Sequence, residues 1–332
     1  MTRRTGPYAS AMPMPYTPFL PAVVRKASGS VFHYTSAQGL LSIMPSGKVW
    51  ASEASSLNDL AEVRQGWETI FKLLKTFPHS EAQRLLIDSV ERPMKATHEV
   101  FVLSASTAGD DANQWRLYAD GGRGYVLEVD GTVQLTAFST LPAPTPGKPS
   151  KPGRISFQKA LDSASVTPWL HVLYKKTEIE EALDELLASV DGEISNINRI
   201  SEEDEQLFAF EGLRDDAYEA LATIAHLIKT PGFSGENEVR VVATFVIRGD
   251  QIGYRAGTNG VIGYATLTQA PHGHASSVLR PEPGAPAQTV LPVKSVRLGP
   301  LLAKEHENTI RGFLHRHGQR DIAITRSEIP LR

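Results

Sequence analysis

The run Gly235-Glu236-Asn237-Glu238-Val239-Arg240-Val241-Val242-Ala243-Thr244-Phe245-Val246-Ile247 decides how this 332-residue chain folds. From Val239 to Ile247 it is rich in β-branched residues and alternates little, which marks a central strand covered on both faces. Its start is polar. Glu236 and Glu238 are two residues apart and share a face just before or within that strand, where buried carboxylates need partners. An ion pair with Lys229 or Arg240 is a sufficient structural reason for them. A functional one is equally open: two neighbouring acids raise each other's pKa and are a costly way to build a surface.

A counterpart, Phe32-His33-Tyr34-Thr35-Ser36, lies about two hundred residues upstream. Val31 to Tyr34 reads as a strand, with His33 and Thr35 on one face and Phe32 and Tyr34 on the other. Ser36 caps a short helix to Met44, Ser46-Gly47 turns the chain, and Lys48 to Ala51 forms a second strand. Helices are expected at 60–75, 81–90, 110–118, 178–200, 203–227 and 304–317. Further strands are expected at 100–104, 124–129, 169–174, 289–300 and 321–325. Residues 1 to 28 are proline-rich and read as an arm. Residues 29–332 read as a single domain, with a helical insertion at about 176–229. The proline stretch 142–149 and the segment 271–286 are loops, because proline removes backbone donors and fixes φ.

Composition excludes several classes of function. Without cysteine there is no disulfide framework, thiol nucleophile or thiolate zinc site. His226 lies in an apolar helix and reads as a core residue, while His272, His274, His306, His315 and His317 lack a matched acidic set, so no metal is expected. A net charge of -3 gives no global basic footprint for duplex nucleic acid. A single strand could still enter a narrow groove near Arg64, Arg116 and Arg123. Prolines 13, 15, 18 and 21 break up any leader-like apolar core, and no stretch is long and apolar enough to span a bilayer. A cytoplasmic protein without membrane partners is the resulting expectation.

Three further segments offer polar or aromatic groups. Asn58 and Asp59 suit a helix cap, and Asn58 would line a pocket if its loop folds over one. Ser104-Ala105-Ser106-Thr107 ends a strand with hydroxyls that suit either a turn or a bound phosphate or amide. Trp115 and Tyr118 are three apart on one helical face, as core packing or as a stacking platform. Gly121-Gly122-Arg123-Gly124 enters a strand instead of opening a helix, so it is no phosphate-binding fingerprint.

In order, Phe32-His33-Tyr34-Thr35-Ser36, Leu57-Asn58-Asp59-Leu60-Ala61-Glu62, Gln114-Trp115-Arg116-Leu117-Tyr118-Ala119, Glu236-Asn237-Glu238-Val239-Arg240 and Val296-Arg297-Leu298-Gly299-Pro300 carry a resemblance. They resemble a widespread bacterial family catalogued as a domain of unknown function, some of whose members resemble abortive phage-infection proteins. That family in turn resembles a distant branch of the ADP-ribosyltransferases, which split NAD and transfer ADP-ribose to a macromolecule. The resemblance implies an α+β fold: an ADP-ribosyltransferase-like split mixed β-sheet core with helical insertions. It implies that His33 holds NAD, Tyr34 supplies the aromatic contact, Ser104 the hydroxyl, and Glu238 the transition-state charge, with Glu236 as acidic partner. Thr35, Ser36, Asn58, Trp115, Tyr118 and Arg240 complete the implied cofactor-binding set. The chain departs from the group's pattern in placing Tyr34 directly after His33.

The expected activity is therefore NAD-dependent ADP-ribosylation of a protein or single-stranded nucleic acid, in phage defence or as a toxin. The alternative is a module of a defence or toxin-antitoxin system that binds a nucleotide or a protein without chemistry.

Overall fold

The computed structural model describes residues 19–56, 60–91, 99–140, 164–245, 249, 251–257, 260–271, 278–280 and 289–330. The opening unit is β1 (Ser30–Thr35), α1 (Ala37–Ser46) and β2 (Val49–Glu53). The Ser36 hydroxyl accepts from the Gly39 amide at 3.1 Å to cap α1. Gly47, left-handed at φ 59°, closes its other end by donating to the Ile43 carbonyl. There follow α2 (Leu60–Leu74), α3 (Glu81–Glu91), β3 (Glu99–Ser106), α4 (Ala112–Tyr118), β4 (Tyr125–Asp130), β5 (Leu135–Ala137), β6 (Ala164–Val166) and β7 (Leu170–His171). The chain continues through α5 (Lys176–Ile197), α6 (Glu203–Leu227), β8 (Glu238–Phe245), β9 (Ile252–Gly257), β10 (Gly260–Gln269), β11 (Val293–Leu298), α7 (His306–Arg316) and β12 (Ala323–Arg326). The fold is α+β, with one large mixed sheet in which β11 and β12 run parallel and the other ladders antiparallel.

The expected central strand is β8. All eight of its residues are buried, and it is paired by β3 on one edge and by β6 and β7 on the other. Val239, Val241, Ala243 and Phe245 face a core shared with α1 and α7. Val242, on the opposite face, joins a second core built from α2, α3, α5 and α6. Glu238 and Arg240 lie on the Val242 face, at the end of β8.

The sheet forks along β3. One edge of β3 pairs with β8 from Glu99↔Phe245 to Ser106↔Glu238. On the other edge β2 pairs at Ser52↔Val102 and Glu53↔Phe101, and β1 at Phe32↔Ser106. Continuing either register would bring Tyr34 or Trp50 opposite Ser104, and neither strand does so. Instead β1 leaves with β4, β11 and β12, and β2 leaves with β10 and its neighbours β9 and β5. Ser104 therefore sits where the two branches part.

Two sequence expectations change. The strand at 169–174 shrinks to Leu170–His171, because this segment divides its backbone bonds among several partners. Trp169 accepts from Ala27, His171 donates to Arg25, Val172 to Glu238 and Leu173 to Leu227. The ten-residue β10 and its hairpin partner β9 were not expected at all, since Gly253, Gly257, Gly260 and Gly263 interrupt the apolar alternation. Asn58 and the 142–149 loop lie outside the described residues, as do residues 1–18 of the arm and most of 271–286. Residues 19–28 are described, and Val24 there is buried in the helical core.

Candidate functional site

A cleft of about 830 Å³ opens at the fork, and both His33 and Glu238 line it. Ser104 joins them. With no strand opposite it on that edge, its carbonyl lies 3.1 Å from His33 Nδ1, and its hydroxyl is near enough to the Glu238 carboxylate to favour the ionised form. Burial lowers the His33 pKa against the opposing effect of the Ser104 bond. The ring is thus neutral near pH 7, with its proton on Nδ1 facing that carbonyl and Nε2 left as an acceptor.

Glu238 lies at the centre of a buried ionic cluster. Arg240 donates from Nε to Oε1 at 2.7 Å and from Nη2 to Oε2 at 3.0 Å. Lys229 Nζ bridges the two acids, 2.9 Å from Glu238 Oε2 and 2.8 Å from Glu236 Oε2. Arg240 Nη1 also donates to the His226 carbonyl at 2.6 Å, satisfying an orphan group in the last turn of α6. The expectation that the two acids raise each other's pKa is overturned for Glu238. Burial pushes its carboxyl up, but Arg240, Lys229 and the Ser104 hydroxyl outweigh burial and hold it at about 2. The negative charge is therefore permanent at physiological pH.

Local backbone geometry presents the acids. A 3-10 turn over Pro231–Glu236 ends at Asn237, which adopts the left-handed conformation at φ 48° and turns the chain into β8. Asparagine tolerates that region better than most residues with a side chain. The Ser106 hydroxyl donates to the Glu236 carbonyl at 2.7 Å, and Gln114 Nε2 donates to it at 3.3 Å. Ser106 is thus a structural hydroxyl, whereas Ser104 is exposed and faces the cleft.

The structure brings Thr35, Ser36, Ser104, Tyr118, Glu236, Glu238 and Arg240 together with His33 around this cleft. Tyr118 is half exposed, its hydroxyl 3.5 Å from Glu236 Oε2. Tyr34 also contacts the cleft, but its ring packs edge-on to Trp115 in a separate small core. Its hydroxyl donates to the Ala108 carbonyl and accepts from the Asp111 amide. Trp115 is fully buried away from the cleft and donates to Asp110 at 2.7 Å. His226 is buried, in keeping with its reading as a core residue. Arg64, Arg116 and Arg123 are exposed and do not line the cleft.

Sequence reasoning missed the opposite wall. Trp50 and Ser52 line the cleft from β2, Lys48 from just before that strand, Tyr264 and Thr266 from β10, and Arg255 from β9. Lys48-Val49-Trp50-Ala51-Ser52 does carry the signal: a tryptophan on the polar face of an alternating strand whose other face is Val49 and Ala51. For Tyr264 and Arg255 the glycine-broken pattern hid the strands themselves.

No helix among the described residues is long and apolar enough to cross a membrane. No curated protein and no solved structure matches the chain. Residues 114–241 match a family model described as "Protein of unknown function (DUF2971)", a stretch that begins at Gln114 and takes in both acids and Arg240.

Proposed function

We propose that the cleft binds NAD and that the protein transfers ADP-ribose from it to a macromolecule. The observation that carries this reading is the convergence of His33, Ser104 and Glu238 on one cleft at the fork of the sheet. The bond to be broken joins the ribose anomeric carbon to the ring nitrogen of a cationic nicotinamide. Its electron pair leaves with neutral nicotinamide, and the positive charge passes to an oxocarbenium-like ribose. Such a transition state needs a nearby fixed anion more than it needs an acid, and Glu238 remains ionised. The acceptor's nucleophile then bonds the anomeric carbon and loses its proton. His33 Nε2 offers an acceptor for a ribose hydroxyl or the nicotinamide amide, positioning without proton transfer. The charged residues lining the cleft, Lys48, Lys229, Arg240 and Arg255 against Glu236 and Glu238, leave a surplus of positive charge suited to a pyrophosphate. The cleft volume lies in the range usual for small-molecule sites.

One observation favours a second reading. Lys229 and Arg240 neutralise Glu236 and Glu238, which weakens the pull of either acid on a developing cation. That balance suits a module that binds the dinucleotide without turning it over. Calorimetry with NAD, run beside an assay for released nicotinamide, separates the two. Binding with release supports the transferase, and binding without release supports the module. In the transferase, Glu238→Gln abolishes release while leaving NAD affinity within a few-fold of wild type; undiminished release by that variant removes the proposed catalyst. Labelled NAD incubated with lysate then reports whether the acceptor is protein, RNA or DNA.

A further inference from the structure

The wall of the cleft formed by β2, β9 and β10 has a construction that the acidic cluster does not explain. Trp50 stacks on Tyr264 with ring centroids 4.3 Å apart and planes 27° apart. Tyr264 in turn lies over Gly253, where an added Cβ would meet its ring at 2.5 Å. The result is a three-layer stack, backbone then Tyr264 then Trp50, whose outermost ring is 44% exposed and faces the cleft. The stack holds a large aromatic surface in place and leaves it open to the cleft.

Two cations flank the stack. Arg255 donates from Nη2 to the Ser52 hydroxyl at 2.9 Å, while its Nε is buried and has no hydrogen-bond partner among the described residues. Lys48, immediately before β2, lines the same cleft as Trp50, its ammonium 4.0 Å from the centre of the Phe138 ring. Among the described residues neither cation is paired with a carboxylate, in contrast to Lys229 and Arg240. Ser42, Ser46 and Thr266 also line the cleft. A planar π-face beside two uncompensated cations matches an aromatic base carrying a phosphate or diphosphate.

We propose that Trp50, Tyr264, Arg255 and Lys48 form a nucleotide subsite that stacks the adenine of an adenosine 5′-diphosphate group and holds its phosphates. The subsite extends the dinucleotide reading above, since it would seat the ADP half of NAD and leave the nicotinamide half toward His33 and Glu238. It stands on its own geometry, however, and requires no bond cleavage. The same base-plus-phosphate chemistry is offered by single-stranded RNA, so the test distinguishes the two sources.

The probe is ADP, which lacks nicotinamide, titrated into the full-length protein while tryptophan fluorescence and heat are recorded. Binding is expected to quench fluorescence, and Trp50→Ala is expected to weaken ADP about tenfold or more, in line with the loss of one base-stacking contact. Arg255→Gln is expected to weaken ADP more than it weakens adenosine, because it removes a phosphate contact. Because both side chains are partly exposed, circular dichroism should show folded variants; Trp50→Phe, which keeps a stacking face, serves as the control and should retain most of the affinity. Equal ADP affinity in wild type and Trp50→Ala overturns the subsite, as does Trp50→Ala lowering the affinity for an oligoadenylate RNA while ADP binding is unchanged. ADP binding that depends on Trp50 in a protein that releases no nicotinamide upholds the subsite and rejects the transferase. Nicotinamide release with an unchanged KM for NAD in Trp50→Ala does the reverse.

Discussion

Glu238 and Arg240, two residues apart on one face of β8, form a two-point ion pair inside the sheet, Nε to Oε1 at 2.7 Å and Nη2 to Oε2 at 3.0 Å. Side chains at this spacing project together from a strand, so the pair follows from the pleat. The tertiary contribution is Lys229, which adds a second cation and ties in Glu236.

Breaking that pair from one side strands a buried charge. Glu238→Ala should destabilise the fold by about 3 to 5 kcal/mol, and Arg240→Ala by a similar amount. The double variant Glu238→Ala with Arg240→Ala should cost clearly less than the sum of the two single losses, because Lys229 and Glu236 still balance each other. Urea unfolding of the variants measures the coupling; strictly additive losses would show that the pair does not act as a unit.

The same carboxylate sets a pH dependence. Its folded pKa of about 2 lies below the ordinary value of 4.5, so the fold favours the ionised form. The associated stability, on the order of 3 kcal/mol, is fully present above pH 4.5 and is lost as the pH falls toward 2. Unfolding free energies measured from pH 5 to pH 2.5 should converge for wild type and Glu238→Gln. Parallel curves would place the acid-labile group elsewhere.

Asp216 in α6 behaves in the opposite sense. Burial, followed by the neighbouring Asp215 and Glu193 charges, raises its carboxyl to about 6. The fold favours the protonated form, so this contribution is present below pH 3.8 and is lost as the pH rises through 6. Asp216→Asn should therefore stabilise the protein by about 1 kcal/mol at pH 7.5, after allowance for solvent screening, and by nothing at pH 4. Thermal melts at the two pH values decide it, and a gain of equal size at both would contradict the account.

Tyr34→Phe isolates a structural role. The ring keeps its place against Trp115, but the Ala108 carbonyl and the Asp111 amide lose their partner. A loss of about 1 to 3 kcal/mol is expected. If the cleft binds NAD as proposed, its affinity should be unchanged, because the ring packs against Trp115 in the small core. A stable variant with impaired NAD affinity would instead make the Tyr34 hydroxyl a ligand contact.

Much of the architecture was legible because the signals are local. Ser36 and Gly47 bound α1 through capping chemistry that short stretches of chain specify. The apolar face of α6 and the β-branched run of β8 are likewise periodic features of the chain itself. The helix at 203–227 has the same limits in sequence and structure. The hairpin β9–β10 was not legible, since its glycines serve close contacts with partners such as Tyr264 and Glu53 that exist only in the folded sheet.

For the site, sequence alone determined that an imidazole at position 33 and acids at positions 236 and 238 occupy polar places on strands or at their ends. It also determined that Glu238 and Arg240 share a face, because the period of a strand is fixed by backbone stereochemistry. The folded chain settles what the sequence could not: that β1 and β2 part at Ser104, that His33 and Glu238 line one cleft beside that serine, and that Trp50, Tyr264 and Arg255 form the facing wall. Those outcomes depend on strand order and register among segments as far as two hundred residues apart, which hydrogen bonding between strands fixes and no local pattern encodes.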